Sequence, residues 1–222
     1  MAFAWGRVMA DGFLAHPVEE LDEAGKWWTT SGKDDWCTPI EVWRYAGVQM
    51  DRLGYSGFTL DAAARSNSAR CSAWFGPDHS DRRRRDALVA DWGCSVVWCN
   101  PPYSREAGGL LRWCAKFDAA ARAGAVVCAL FFVRCETKAW HRYVVNADEV
   151  HLFEGRLRFV DPSTGERGAA SAPAPSCLVI WRPPRPARLA SGVLQRRDGP
   201  RFVHVPRSVL LADDSQGDLF DG

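Results

Sequence analysis

Asn100-Pro101-Pro102-Tyr103 follows directly on the apolar run Val96-Val97-Trp98-Cys99. Two successive prolines fix two φ angles and remove two backbone donors, so the chain there cannot continue a regular ladder. The product is a rigid loop at the end of a buried strand, which presents an amide side chain, free carbonyls and an aromatic face. In open α/β sheets ligands bind at that end of the strands. The set suits a planar substrate bearing an exocyclic amine. Asn100 Oδ1 and the Pro101 carbonyl can each accept an N–H, while Tyr103 stacks on the ring.

A second candidate site is Asp61, which ends the short apolar stretch Phe58-Thr59-Leu60 and precedes Ala62, Ala63 and Ala64. Small residues let backbone approach a ligand, and a carboxylate at a strand end can meet a cation. A glycine-rich loop is missing at this position, so pyrophosphate binding of the dinucleotide type is not expected. Arg82 to Arg85 form the one dense cationic run, and arginine suits planar recognition of phosphates. The five histidines are scattered. The eight cysteines include no Cys-x-x-Cys pair, so no metal site is expected and a reduced, cytoplasmic protein is.

These residues need elements to hold them. Val42, Trp43, Ala46, Met50 and Leu53 repeat at helical spacing, with Thr38 as expected N-cap, Pro39 at the first position and Glu41 completing a capping box. Leu110 to Ala123 is a second amphipathic helix, closed by Gly124. Ala125 to Val133 is an apolar run of nine residues, too short for a membrane span of about 20 and therefore a central strand. A short strand is expected at Ser72 to Phe75 and a short helix at Trp140 to Asn146. Glu149 to Phe153 and Leu157 to Val160 read as a strand pair, and Cys177 to Trp181 as the last core strand. Alternating strands and helices predict an α/β chain with a mostly parallel central sheet.

Hydrophobic residues make up 47% and charged residues 25%, which excludes collagen, coiled coil and wholesale disorder. Basic and acidic residues nearly balance, 28 against 27, so net charge alone selects no partner. No secretion signal is visible at the N-terminus. The expected organisation is an arm over 1–26, a catalytic domain over 27–185 and an extension over 186–222 with a flexible acidic tail.

Five elements in order resemble the phage-encoded, Dam-type DNA N-6-adenine methyltransferases. They are Trp36-Cys37-Thr38-Pro39, Phe58-Thr59-Leu60-Asp61-Ala62-Ala63, Asp86-Ala87-Leu88 with Trp92, the Asn-Pro-Pro-Tyr loop, and Gly155-Arg156-Leu157-Arg158-Phe159. The resemblance implies a Rossmann-like, S-adenosylmethionine-dependent methyltransferase fold acting on adenine in double-stranded DNA. It implies catalytic roles for Asn100, Pro101, Pro102 and Tyr103, and cofactor contacts at Thr38, Pro39, Asp61, Ala62, Asp86 and Asn100. Within a DNA enzyme, Arg82, Arg83, Arg84 and Arg85 become phosphate contacts. Specificity would then come from loops such as 66–86 and 160–176.

Two rival readings are a methyltransferase of protein glutamine or RNA adenine, and a non-catalytic DNA-binding module of the same fold. The tail adds one partner. Gln216, Leu219 and Phe220 resemble, in spacing, the peptides that dock on the bacterial sliding clamp, with Leu219 and Phe220 as apolar anchors in a polar segment.

Overall fold

The structure is a computed structural model that describes residues 36–103, 109–161, 164–168, 170–184 and 199–211. The expected arm at 1–26 and the residues Gln216, Leu219 and Phe220, expected to dock on a sliding clamp, lie outside the described residues.

Seven strands form one sheet: β1 (Leu60–Asp61), β2 (Ala73–Trp74), β3 (Val96–Cys99), β4 (Val126–Phe132), β5 (Glu149–Phe153), β6 (Ser176–Trp181) and β7 (Arg201–Val205). Their order is β2-β1-β3-β4-β6-β5-β7. β2, β1, β3 and β4 pair in parallel, β6 runs antiparallel to both β4 and β5, and β7 pairs in parallel with β5. Only β6 is reversed. This is the mostly parallel α/β sheet that the alternating pattern predicts.

The apolar strands are continuous because both faces of the sheet are covered. Val127, Ala129 and Phe131 of β4 enter the core that holds Trp113 and Phe117 of α2 (Gly109–Arg122) and Trp140 of α3 (Lys138–Arg142). Val126, Cys128 and Leu130 enter the opposite core, with Val42, Ala46 and Met50 of α1 (Ile40–Arg52). The 3.6-residue stripe of α1 thus meets the two-residue period of β4 from one side. A last short helix, α4 (Arg207–Leu211), follows β7.

Two local expectations change. Pro39, not Thr38, is the N-cap of α1, with ψ 144° and no side-chain cap bond. Proline disfavours helical geometry in the residue before it, which holds Thr38 outside the helix. Glu41 is thereby released from a capping box. The second change concerns Leu157 to Val160, which does not pair with β5. Both edges of β5 are already taken, by β6 and by the distant β7. Val160 instead bridges Cys37 and Arg167.

The parallel directions send the segments after β1, β2, β3, β4 and β5 to one edge of the sheet. Asp61, the arginine run, Asn100 and the Phe159 segment are therefore gathered on the carboxyl edge. The N-terminus of α1, which runs back across the sheet, reaches the same edge.

Candidate active site

Leu60 and Asp61 stand in register with Val97 and Trp98, so Asp61 and Asn100 leave neighbouring strands at adjacent places. Asp61 is almost fully buried. Its Oδ1 accepts from the Ala63 amide at 3.3 Å and its Oδ2 from the Arg70 amide at 3.0 Å. Burial pushes this carboxyl up to about 6, against the pull of those amides and of the Arg70 charge. The Arg70 guanidinium donates to the Thr38 carbonyl at 2.9 Å and lies over the Trp43 ring, 5.8 Å from its centroid. Arg70 thus joins two cofactor candidates, Thr38 and Asp61, that are distant in sequence.

Asn100 is fixed at both ends of its amide. Nδ2 donates to the Trp36 carbonyl at 3.4 Å, and Oδ1 accepts from the Tyr103 hydroxyl at 2.9 Å. The Tyr103 hydroxyl also lies 3.4 Å from the Leu130 carbonyl. Its ring stacks on Phe132, with centroids 4.2 Å apart and planes 18° apart. Pro101 and Pro102 are buried.

Beside this loop lies a cavity of about 360 Å³ lined by Trp36, Asn100, Pro101, Tyr103, Phe132 and Phe159, and closed by residues 170–173. That volume is in the range of small-molecule sites, and aromatic walls with a few fixed polar groups are their usual composition. Trp36, Phe132 and Phe159 were not assigned to the site from sequence. Phe132 had a signal, because it ends a buried strand at the ligand-binding edge. Arg70 had none, since a lone arginine in a polar loop is unremarkable.

The remaining candidates sit on the loop after β2. Asp86 is half-buried, and its Oδ1 accepts from the Leu88 amide at 2.8 Å, capping the turn toward Ala90. Arg82 to Arg84 form a single 3-10 turn capped by Asp81. Arg83 is tied to Asp81 through Nε and an Nη, and Arg85 Nε donates to the His79 carbonyl at 2.8 Å. The side chains of Arg82 and Arg84 are exposed and make no hydrogen bond or ion pair among the described residues.

A sheet of this order, with a polar loop and an aromatic cavity at its carboxyl edge, defines a Rossmann-like methyltransferase fold. Residues 27–201 match the model of the DNA N-6-adenine-methyltransferase (Dam) family, and the chain belongs to that family. It is 29% identical over 157 residues to the DNA N-6-adenine-methyltransferase of Haemophilus phage HP1 (strain HP1c1), spanning 70% of this chain and 83% of that protein. No solved structure matches it significantly. The family makes the chain a DNA adenine methyltransferase, and methyltransferases of this kind draw on S-adenosylmethionine. Among the described residues no helix is long and apolar enough to cross a membrane.

The donor set fits that cofactor. Its amino-acid end is zwitterionic, and Asp61 and Arg70 offer opposite charges beside small Ala62 and Ala63. A cationic ligand would also offset, by its charge, the desolvation that raises the Asp61 carboxyl.

Proposed function

We propose that this chain methylates the exocyclic amine of an adenine turned out of duplex DNA into the cavity beside Asn100. The observation that carries the reading is the position of Asn100 and Pro101 at the carboxyl end of β3, in the wall of an aromatic cavity. Extrusion is needed because the target amine cannot be reached inside a duplex, and it costs a few kcal/mol. The aromatic walls repay part of that by stacking, worth ~1–3 kcal/mol per base.

S-adenosylmethionine, when bound, supplies the electrophilic methyl group. Asp61 and Ala62 at the carboxyl end of β1, Thr38 and Pro39 before α1, and Asp86 on the loop after β2 are the residues that would hold it. Asn100 Oδ1 and the Pro101 carbonyl accept the two N–H groups of the adenine amine. As the nitrogen lone pair leaves conjugation and positive charge develops, these acceptors bind more strongly, which is where an acceptor lowers a barrier. The held geometry aligns nitrogen and methyl carbon. The product amine then sheds its extra proton.

Arg82 and Arg84, aided by Arg83 and Arg85, neutralise DNA phosphates without reading bases. The tail residues Gln216, Leu219 and Phe220 remain a candidate clamp-docking peptide, which would raise local concentration at newly copied DNA. Family membership favours DNA over a protein glutamine or RNA adenine as acceptor.

The test is expression in a methylation-free host, followed by sequencing that detects modified bases. N6-methyladenine at a defined site is the expected result. Unmodified DNA from cells holding folded, cofactor-binding protein would overturn the reading.

A further inference from the structure

We infer that Glu41 and Arg167 are positioning residues that set the part of the base cavity's wall formed by Phe159 and residues 170–173, an inference that rests on the reading of that cavity above. Glu41 lies in the first turn of α1, where the helix dipole favours a carboxylate, yet only 7% of it is exposed. Its Oε1 meets Arg167 Nη1 at 3.0 Å, and its buried Oε2 has no hydrogen-bond partner among the described residues. A carboxylate buried this way depends on its countercharge, since removing one partner of such a pair leaves a charge uncompensated.

Arg167 belongs to the segment that walls the cavity. Val160 exchanges hydrogen bonds with Cys37 at 2.8 and 2.9 Å and bridges Arg167 on its other side. The Gly168 amide donates to the Phe159 carbonyl at 2.8 Å, and the Gly168 carbonyl accepts from Arg158 Nε and Nη2 at 3.1 and 3.0 Å. A Cβ on Gly168 would stand 2.9 Å from the Trp36 ring, so that ring rests against the segment's backbone. Phe159 and residues 170–173 line the cavity together with Asn100. The Ala172 amide closes the unit on the Leu157 carbonyl at 2.8 Å.

The ion pair therefore ties the wall to α1, the helix that Thr38 and Pro39 introduce. Glu41 and Arg167 do not line the cavity themselves. They act through Trp36 and Phe159, which touch it.

The experiment is a double-mutant cycle on the full chain, with unmethylated duplex DNA and S-adenosylmethionine. Arg167→Ala and Glu41→Ala should each lower kcat/KM for DNA by about 10- to 100-fold, the scale of an ångström-level misplacement. The double variant should be no worse than either alone, because paired residues are non-additive. Cofactor affinity by calorimetry should change less than about twofold, and Arg167→Lys should recover part of the loss by restoring the charge. Additive losses, or a lowered melting temperature with unchanged kcat/KM, would overturn the inference. If the alanine variants do not fold, Arg167→Gln and Glu41→Gln with their double variant carry the same cycle. Wild-type protein that folds but methylates no DNA would instead count against the function on which the inference rests.

Discussion

The Tyr103 hydroxyl donates to Asn100 Oδ1 at 2.9 Å, while the Asn100 amide nitrogen faces the Trp36 carbonyl. The orientation of the asparagine amide is therefore set before substrate arrives. That relationship assigns the tyrosine a second duty beyond stacking. Tyr103→Phe keeps the ring on Phe132 but deletes one neutral hydrogen bond, worth about 0.5–1.5 kcal/mol. Single-turnover methylation should slow by about two- to tenfold, with DNA affinity unchanged. An unaltered rate would reduce the hydroxyl to a bystander. Tyr103→Ala should slow the reaction further, because the ring is lost as well.

Asn100→Ala removes an acceptor aimed at charge that develops only in the transition state. Such losses cost about 10²–10³ in kcat. Cofactor affinity, measured by calorimetry, should change little, since Asp61 keeps its bond from the Arg70 amide and Arg70 its bond to the Thr38 carbonyl. Near-normal turnover would remove Asn100 from the mechanism.

Much of this arrangement was legible because its signals are local. The apolar run Ala125 to Val133 became β4, and the stripe through Val42, Ala46 and Met50 became the buried face of α1. Asn100 and Asp61 could be singled out because strand ends in parallel sheets are where ligands bind. What escaped was non-local. β7 pairs with β5 across nearly 50 residues of chain, and once it does, Leu157 to Val160 has no edge of β5 to join. The cavity wall was hidden for the same reason, since Phe159 and Trp36 are brought together by the Cys37–Val160 bridge and by Gly168, which join segments distant in sequence. The tie between Arg70 and Thr38 likewise spans 32 positions and leaves no periodic trace.

The four consecutive arginines are not equivalent. Arg83 and Arg85 are spent on Asp81 and His79, whereas Arg82 and Arg84 point their charges at solvent. Replacing Arg82 and Arg84 together with alanine should flatten the log–log salt dependence of DNA binding by up to about 1.8, at ~0.9 per phosphate contact. Arg83→Ala should change the slope less. Equal slopes for all variants would return the turn to a purely structural role.

Asp61 is held with a carboxyl pushed up to about 6, because burial outweighs its two amide bonds. Its folded value lies above its unfolded one, so the ionised form is the costly one and stability falls as pH rises through about 6. Asp61→Asn removes the charge but also exchanges one of the two accepting oxygens for an amide donor, which leaves the Ala63 or Arg70 amide without its acceptor. The variant's melting temperature should therefore vary less than the parent's as pH rises through about 6, whatever its absolute value. It should bind S-adenosylmethionine at least tenfold more weakly, the value of a lost charge-assisted bond of about 1.5 kcal/mol. A variant with full cofactor affinity would sink the assignment.

The opposite edge of the sheet carries a network with the reverse pH response. His151 is buried, with Nδ1 2.7 Å from the Tyr45 hydroxyl and Nε2 3.0 Å from Glu149 Oε2. Arg52 donates to the same carboxylate oxygen. Burial holds the His151 imidazole below its ordinary value, despite the attraction of Glu149. Burial alone would raise the Glu149 carboxyl, but hydrogen bonds from Arg52 and His151 outweigh it and hold it low. Both folded values lie below the unfolded ones. Their contribution to stability is present above the unfolded pKa of histidine, 6.5, and is lost as protons bind on acidification. The first loss comes from His151 below about 6.5 and the second from Glu149 below its unfolded value of 4.5. Asp61 works in the opposite sense over part of that range, so the effect is isolated by comparison with a variant. His151→Gln keeps hydrogen bonding to both neighbours and cannot take up a proton. Between pH 8 and pH 5.5 the melting temperature of the parent should fall more steeply than that of His151→Gln. Parallel curves would show that the imidazole does not feel its burial.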